Sequence, residues 1–163
     1  MQRLFTPWRL DFIKNNPHKQ KNHTCIFCGI IEDDANNDAQ NLVLYRGEHS
    51  LIILNKFPYS CGHIMVIPYQ HGDDYLDLSQ ACHQEMQNFM GQSLKALQNK
   101  SSMDGCNIGM NIGKAGGAGI PQHLHYHLVP RWVGDSNFMP IIGETRVLPE
   151  TLEQTYQKLK PEF

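Results

Sequence analysis

His123, His125 and His127 alternate with Leu124, Tyr126 and Leu128. Imidazole can serve as nucleophile, proton carrier or metal ligand near neutral pH. In a strand, alternate side chains share a face, so the three rings would stand at intervals of roughly 6.6–7 Å. Leu124, Tyr126 and Leu128 would then point into the core. A helix would scatter the rings, and Pro121 and Pro130 bracket the segment, so the pattern predicts a strand over 123–130. An H-x-H pair on a strand is good ligand geometry, but a catalytic metal site normally adds a carboxylate or a further histidine. No acidic residue falls within the triad, and the next one is Asp135. The preceding residues favour phosphate instead. Gly113, Gly116, Gly117 and Gly119 let a backbone approach an anion and turn amides toward it. A neutral imidazole can attack phosphorus, while a second imidazole stabilises developing charge or protonates the leaving group.

The elements that must position these groups follow from the rest of the chain. LVLYR (42–46) and LIILN (51–55) flank the turn Gly47-Glu48-His49-Ser50 and predict a hairpin, and HIMVIP (63–68) predicts a third strand. DDANNDAQN (33–41) reads as a loop of turn formers. Ser79 is a candidate N-cap for a helix over roughly 80–99, with Cys82, Met86, Phe89, Met90, Leu94 and Leu97 as its apolar stripe. CNIGMNIG (106–113) predicts another strand, and 148–160 a short helix after Pro149. The sum is a single α+β domain with one antiparallel sheet and one main helix.

Composition narrows the class. With 163 residues, 40% of them hydrophobic, the chain is long enough for one packed core and too apolar for a disordered segment. Lys and Arg number 14 against 16 Asp and Glu, which excludes a strongly basic nucleic-acid binder. No run reaches the roughly 18 apolar residues of a membrane span, so no membrane partner is expected. The first twenty residues lack the apolar stretch of a signal peptide. Cys25, Cys28, Cys61, Cys82 and Cys106 make an odd count, which points to a reducing cytoplasm rather than a disulfide framework.

His123-Leu-His125-Tyr-His127-Leu-Val129 resembles the H-φ-H-φ-H-φ-φ signature of the histidine triad superfamily of nucleotide hydrolases and transferases. Residues 51–71 and 107–132 are similar to that family's two signature regions, and 131–140 to bacterial members near the dinucleoside polyphosphate phosphorylases. The likeness spans roughly 25–140 and sets the expected boundaries: an N-terminal arm (1–24), the triad domain (25–140) and a C-terminal extension (141–163). It implies a five-stranded antiparallel sheet with one long helix, the sheet continuing across a homodimer. It also implies cleavage at the α-phosphate of a dinucleoside polyphosphate such as diadenosine tetraphosphate, through a nucleotidyl-histidine intermediate. A purine nucleoside phosphoramidase and a nucleotide-binding protein without turnover are the alternatives.

Roles carry over position by position. His125 matches the nucleophile and His127 the third triad position, which contacts phosphate. His123 matches the first, which holds the hydrogen-bond network, and His63 the upstream histidine that supports the triad. Asn55 falls where the family binds ribose, Asn111 where it binds phosphate, and Phe27, Ile30 and Ile53 where it builds an apolar base pocket. Many members place a serine just before the triad. Here the loop runs through Gly117, Ala118 and Gly119, so backbone amides would replace that hydroxyl. The histidine at 127 argues against the hexose-1-phosphate uridylyltransferase branch, which has glutamine there.

Cys25-Ile-Phe-Cys28, read alone, is half a zinc site, a redox pair or a coincidence. No second C-x-x-C exists, which excludes a four-cysteine ribbon. Resemblance to several bacterial triad proteins implies a Cys₂His₂ set of Cys25, Cys28, His71 and His123. Zinc held there would be structural, and catalysis itself would need no cofactor. Trp132 and Phe138 are candidates for interface packing or for stacking on a second base.

Overall fold

Strand-forming runs pair as the sequence predicts, in one sheet. A computed structural model describes residues 25–135 and 149–163, so the expected N-terminal arm and Phe138 lie outside the described residues. The strands are β1 (Val43–Arg46), β2 (Ser50–Leu54), β3 (Ile64–Pro68), β4 (Gly105–Met110) and β5 (Tyr126–Arg131). Their order is β1-β2-β3-β5-β4, antiparallel throughout. With α1 (Ile26–Ile31), α2 (Asp38–Asn41), α3 (Gln80–Ser101) and α4 (Leu152–Leu159), this is the expected α+β class. No described helix is long and apolar enough to cross a membrane.

Helix α3 starts where its cap predicts: the Ser79 hydroxyl accepts the Cys82 N–H at 3.1 Å. Cys82, Met86, Phe89, Met90 and Leu97 are buried against the sheet, while Leu94 is only half-buried. Ser93 and Ala96 take up the rest of the stripe, because their small side chains suit a close helix–sheet contact. The β1–β2 turn is tied to this helix by Glu85, whose carboxylate accepts Glu48 N–H, His49 N–H and the Ser50 hydroxyl at 2.8, 2.9 and 2.6 Å. Burial alone would raise the Glu85 carboxyl, but these donors hold it below its ordinary value.

Helix α4 begins with a capping box between Thr151 and Gln154 and buries Tyr156 and Leu159. The Tyr156 hydroxyl donates to Val43 O at 3.2 Å and Lys160 Nζ to Leu44 O at 2.7 Å, so this segment covers backbone acceptors of β1. At the opposite side of the sheet, β4 is an edge strand with Ile108 about half exposed.

Three expectations are corrected. The loop expected at 33–41 is a 3₁₀ turn (Ala35–Asn37) followed by α2, because Asp34 caps Asn36 N–H and the Asp33 carboxylate holds Asn37 and Asn41. The strand expected at 106–113 ends at Met110, its last partner on β5 being Tyr126. The strand expected at 123–130 begins only at Tyr126. Upstream of it Leu124 N–H goes to Gly72 O at 2.9 Å, and the Pro68 carbonyl bonds the His123 ring, so β3 has no ladder to offer His123 and His125.

Candidate active site

Cross-strand register sets out the row that carries His127. Val43, Ile53, Met65, His127 and Gly109 oppose one another in turn across all five strands, on one face of the sheet. Gly109 contributes no side chain, and nothing lies within 4 Å of where its Cβ would stand. Open space therefore adjoins His127. On the other side, the Phe27 ring of α1 meets the His125 ring at 5.0 Å and the His123 ring at 5.4 Å. The His125 and His127 rings lie 4.7 Å apart, closer than the strand repeat because the two imidazoles turn toward each other.

Hydrogen bonding assigns the protons. His125 Nδ1 lies 2.9 Å from His123 O, and a carbonyl only accepts, so Nδ1 carries the hydrogen. Burial lowers the His125 pKa, keeping the ring neutral, and its lone pair is then on Nε2. A second chain sets His127. Tyr59 N–H donates to His63 Nδ1 at 3.0 Å, as does Asn55 Nδ2 at 3.3 Å, so neutral His63 holds its hydrogen on Nε2. That Nε2 donates to His127 Nδ1 at 2.9 Å, which leaves neutral His127 with a hydrogen on Nε2. The triad thus offers one nucleophilic nitrogen and, beside it, one N–H donor.

Burial, followed by the His125 ring, pulls His127 down to about 4. An unfolded chain takes up this proton at a higher pH than the folded one, so stability falls as pH is lowered from about 6.5 toward 4. His127→Gln is expected to flatten that part of the curve by about 1–3 kcal/mol, read as urea midpoints from pH 7 to 4. Equal slopes in the two proteins would contradict this placement of His127.

His123 faces elsewhere. Its Nε2–H donates to Pro68 O at 2.9 Å, so the Nδ1 lone pair points away from that carbonyl. Around it lie Cys25 Sγ at 3.4 Å, Cys28 Sγ at 3.6 Å and His71 Nδ1 at 3.3 Å, with Cys28 Sγ 3.3 Å from His71 Nδ1. A tetrahedral zinc with bonds near 2.3 Å to sulfur and 2.0–2.1 Å to nitrogen has S–N edges of about 3.6 Å and N–N edges of about 3.3 Å. The four separations above lie close to those edges, and all four donor atoms fall within 4.8 Å of one another. Burial and the neighbouring Cys25 push the Cys28 thiol up to about 11, and burial brings His123 down to about 4. Of the three triad histidines, this cluster takes in His123 alone. The His123 ring thus lies in the cluster, while its carbonyl accepts from His125 Nδ1.

Other expected residues divide. Phe27, Ile30 and Ile53 are all buried in the one core cluster. Asn111 follows β4 directly, as His125 directly precedes β5, so the two flank the end of the same ladder, and the Asn111 carboxamide makes no hydrogen bond among the described residues. The Asn55 carboxamide is already engaged, accepting Phe57 N–H at 2.9 Å and donating to His63. As placed, Asn55 holds the His63 turn. Gly117 and Ala118 amides bond Lys114 O and Gly113 O, closing the loop on itself, whereas the Gly119 amide makes no hydrogen bond among the described residues. Gly116 has to be glycine: a Cβ would stand 2.3 Å from Ile112 O. Trp132 donates from Nε1 to Ser101 O and Ser102 O, capping the end of α3. Tyr59 was missed by sequence reading; its only signal was a position four residues before His63.

Residues 36–133 match the family model described as the HIT domain. The chain belongs to the HIT domain family. Among its relatives, a protein from Mycobacterium tuberculosis (strain ATCC 25618 / H37Rv) named AP-4-A phosphorylase is 34% identical, the alignment covering all of this chain and 85% of that one. A zinc-bound histidine triad family protein from Mycobacterium smegmatis superimposes with a TM-score of 0.67 at 30% identity, over 85% of this chain and 92% of that one. A hypothetical histidine triad nucleotide-binding protein from Sulfolobus tokodaii gives the same TM-score at 29% identity, over 85% and 91%. This HIT protein therefore shares its fold with both a bacterial and an archaeal protein.

Proposed function

We propose that the protein transfers a nucleotidyl group from a dinucleoside polyphosphate, such as diadenosine tetraphosphate, to His125 and then to inorganic phosphate. The observation that carries this reading is the proton assignment: His125 has its hydrogen on Nδ1, fixed by His123 O, and its lone pair on Nε2. In the first step Nε2 forms a bond to the α-phosphorus as the Pα–O bond to the leaving nucleotide breaks, the electron pair going with the oxygen. The His127 Nε2–H stabilises charge developing on phosphate oxygens, together with the Gly119 amide and Asn111. In the second step the acceptor attacks phosphorus and Nε2 departs. Phosphate as the acceptor is favoured over water by the full-length likeness to a relative named AP-4-A phosphorylase.

The Cys25, Cys28, His71 and His123 set would hold zinc as a structural ion, since four protein donors fill a tetrahedron and leave no open position. The ion would anchor the start of α1 to the residue whose carbonyl orients His125. A homodimer would join through the open β4 edge.

Product analysis of diadenosine tetraphosphate with and without inorganic phosphate tests the reaction. ADP plus ATP, formed only with phosphate, is the expected result. AMP plus ATP without phosphate would make the protein a hydrolase. If neither pair forms, the dinucleotide reading fails and adenosine phosphoramidates become the next substrate class.

A further inference from the structure

Tyr59 stands over the two histidines that carry the second hydrogen-bond chain. Its ring centroid lies 4.7 Å from that of His63 and 5.9 Å from that of His127, tilted by 40° and 32°. His63 is fully buried beneath it, while the Tyr59 side chain remains about 41% exposed. The turn has other ties besides this ring. Ser60 Oγ donates to Pro130 O at 2.9 Å, and Gly62 turns the chain at φ +76°, with Leu97 3.0 Å from the position of a Cβ. The ring thus covers the pair of imidazoles from the solvent side.

We propose that Tyr59 is a positioning residue for His127: its ring and amide lock the His63–His127 pair so that the His127 Nε2–H faces the reacting phosphate. This rests on the nucleotidyl-transfer reading above, and deepens it. The amide settles the direction of the chain by occupying His63 Nδ1. The ring settles its rigidity. It keeps water from the 2.9 Å bond between His63 Nε2 and His127 Nδ1 and holds both planes against rotation. Small misplacement of a group that acts only in the transition state lowers turnover more than binding.

Two measurements separate this role from a merely structural one. NMR exchange of the His63 imidazole N–H with solvent, recorded without substrate, is expected to quicken about tenfold or more in Tyr59→Ala and to stay at the wild-type rate in Tyr59→Phe. Turnover of diadenosine tetraphosphate is expected to fall about tenfold in kcat for Tyr59→Ala, with KM changed less than about threefold, and to be retained in Tyr59→Phe. Tyr59→Leu, which keeps bulk without a flat ring, carries the test if the alanine variant does not fold, with the same acceleration of exchange expected. Wild-type exchange in the Ala and Leu variants would overturn the proposal, as would a Phe variant as impaired as Ala. The exchange measurement needs no substrate, so it stands or falls separately from the identity of the reaction.

Discussion

His125→Asn is expected to abolish turnover of dinucleoside polyphosphate while leaving nucleotide binding nearly unchanged. Asparagine can repeat the ring hydrogen bond of His125, its Nδ2 donating to His123 O in place of the ring Nδ1. It presents no nitrogen lone pair to phosphorus. Removal of a covalent nucleophile typically lowers kcat by on the order of 10⁴–10⁶. Phe27 and the His127 ring would still line the site, and asparagine removes far fewer atoms than a truncation to alanine would, so folding should hold. Calorimetric binding of diadenosine tetraphosphate to the variant, beside a radiolabel assay for turnover, reads both halves. Residual turnover within about tenfold of wild type would remove His125 from the nucleophile's place.

That expectation was legible before any fold was known: the spacing of the three histidines pointed to a strand, and the resemblance to the histidine triad superfamily implied His125 as the nucleophile. The proton placement behind it was not. The triad pattern placed three rings on one face, yet His123 turns to Cys25, Cys28 and His71, and what it gives the nucleophile is a backbone carbonyl. Spacing reports which side chains share a face, while proton placement depends on contacts between distant segments, here Tyr59 to His63 and His63 to His127. Ladder ends were misjudged for a similar reason. Leu124 has strand periodicity, but its amide is taken by Gly72 from the loop after β3, a partner no local pattern announces. The bonds of the Asn55 carboxamide to the turn it sits in are likewise invisible to a local pattern. By contrast the start of α3 at Ser79 and the β1–β2 hairpin rest on neighbours in sequence, and both came out as read.

Metal removal is expected to cost about 3 kcal/mol or more of stability, which for a chain of this size lowers Tm by about 6–12 °C. His71 makes the test clean. It is exposed, and among the described residues its ring meets only the cluster that includes Cys28 and His123, so substitution of an ordinary surface histidine there would change stability by less than about 0.5 kcal/mol. His71→Ala should therefore melt well below the zinc-loaded wild-type protein and level with the chelated wild type, and a chelator should not lower it further. A His71→Ala protein that melts like the zinc-loaded wild type would show that the four donors hold no stabilising ion. The loss should also reach the active site without the ion touching substrate. His123 is buried and joins two roles in one residue, Nδ1 in the cluster and its carbonyl on His125 Nδ1–H. Freed from its anchor, that carbonyl holds the nucleophile less tightly, so kcat should fall in His71→Ala at temperatures where the variant is still folded. Because the dependence runs through position alone, that fall should be far smaller than the one caused by His125→Asn.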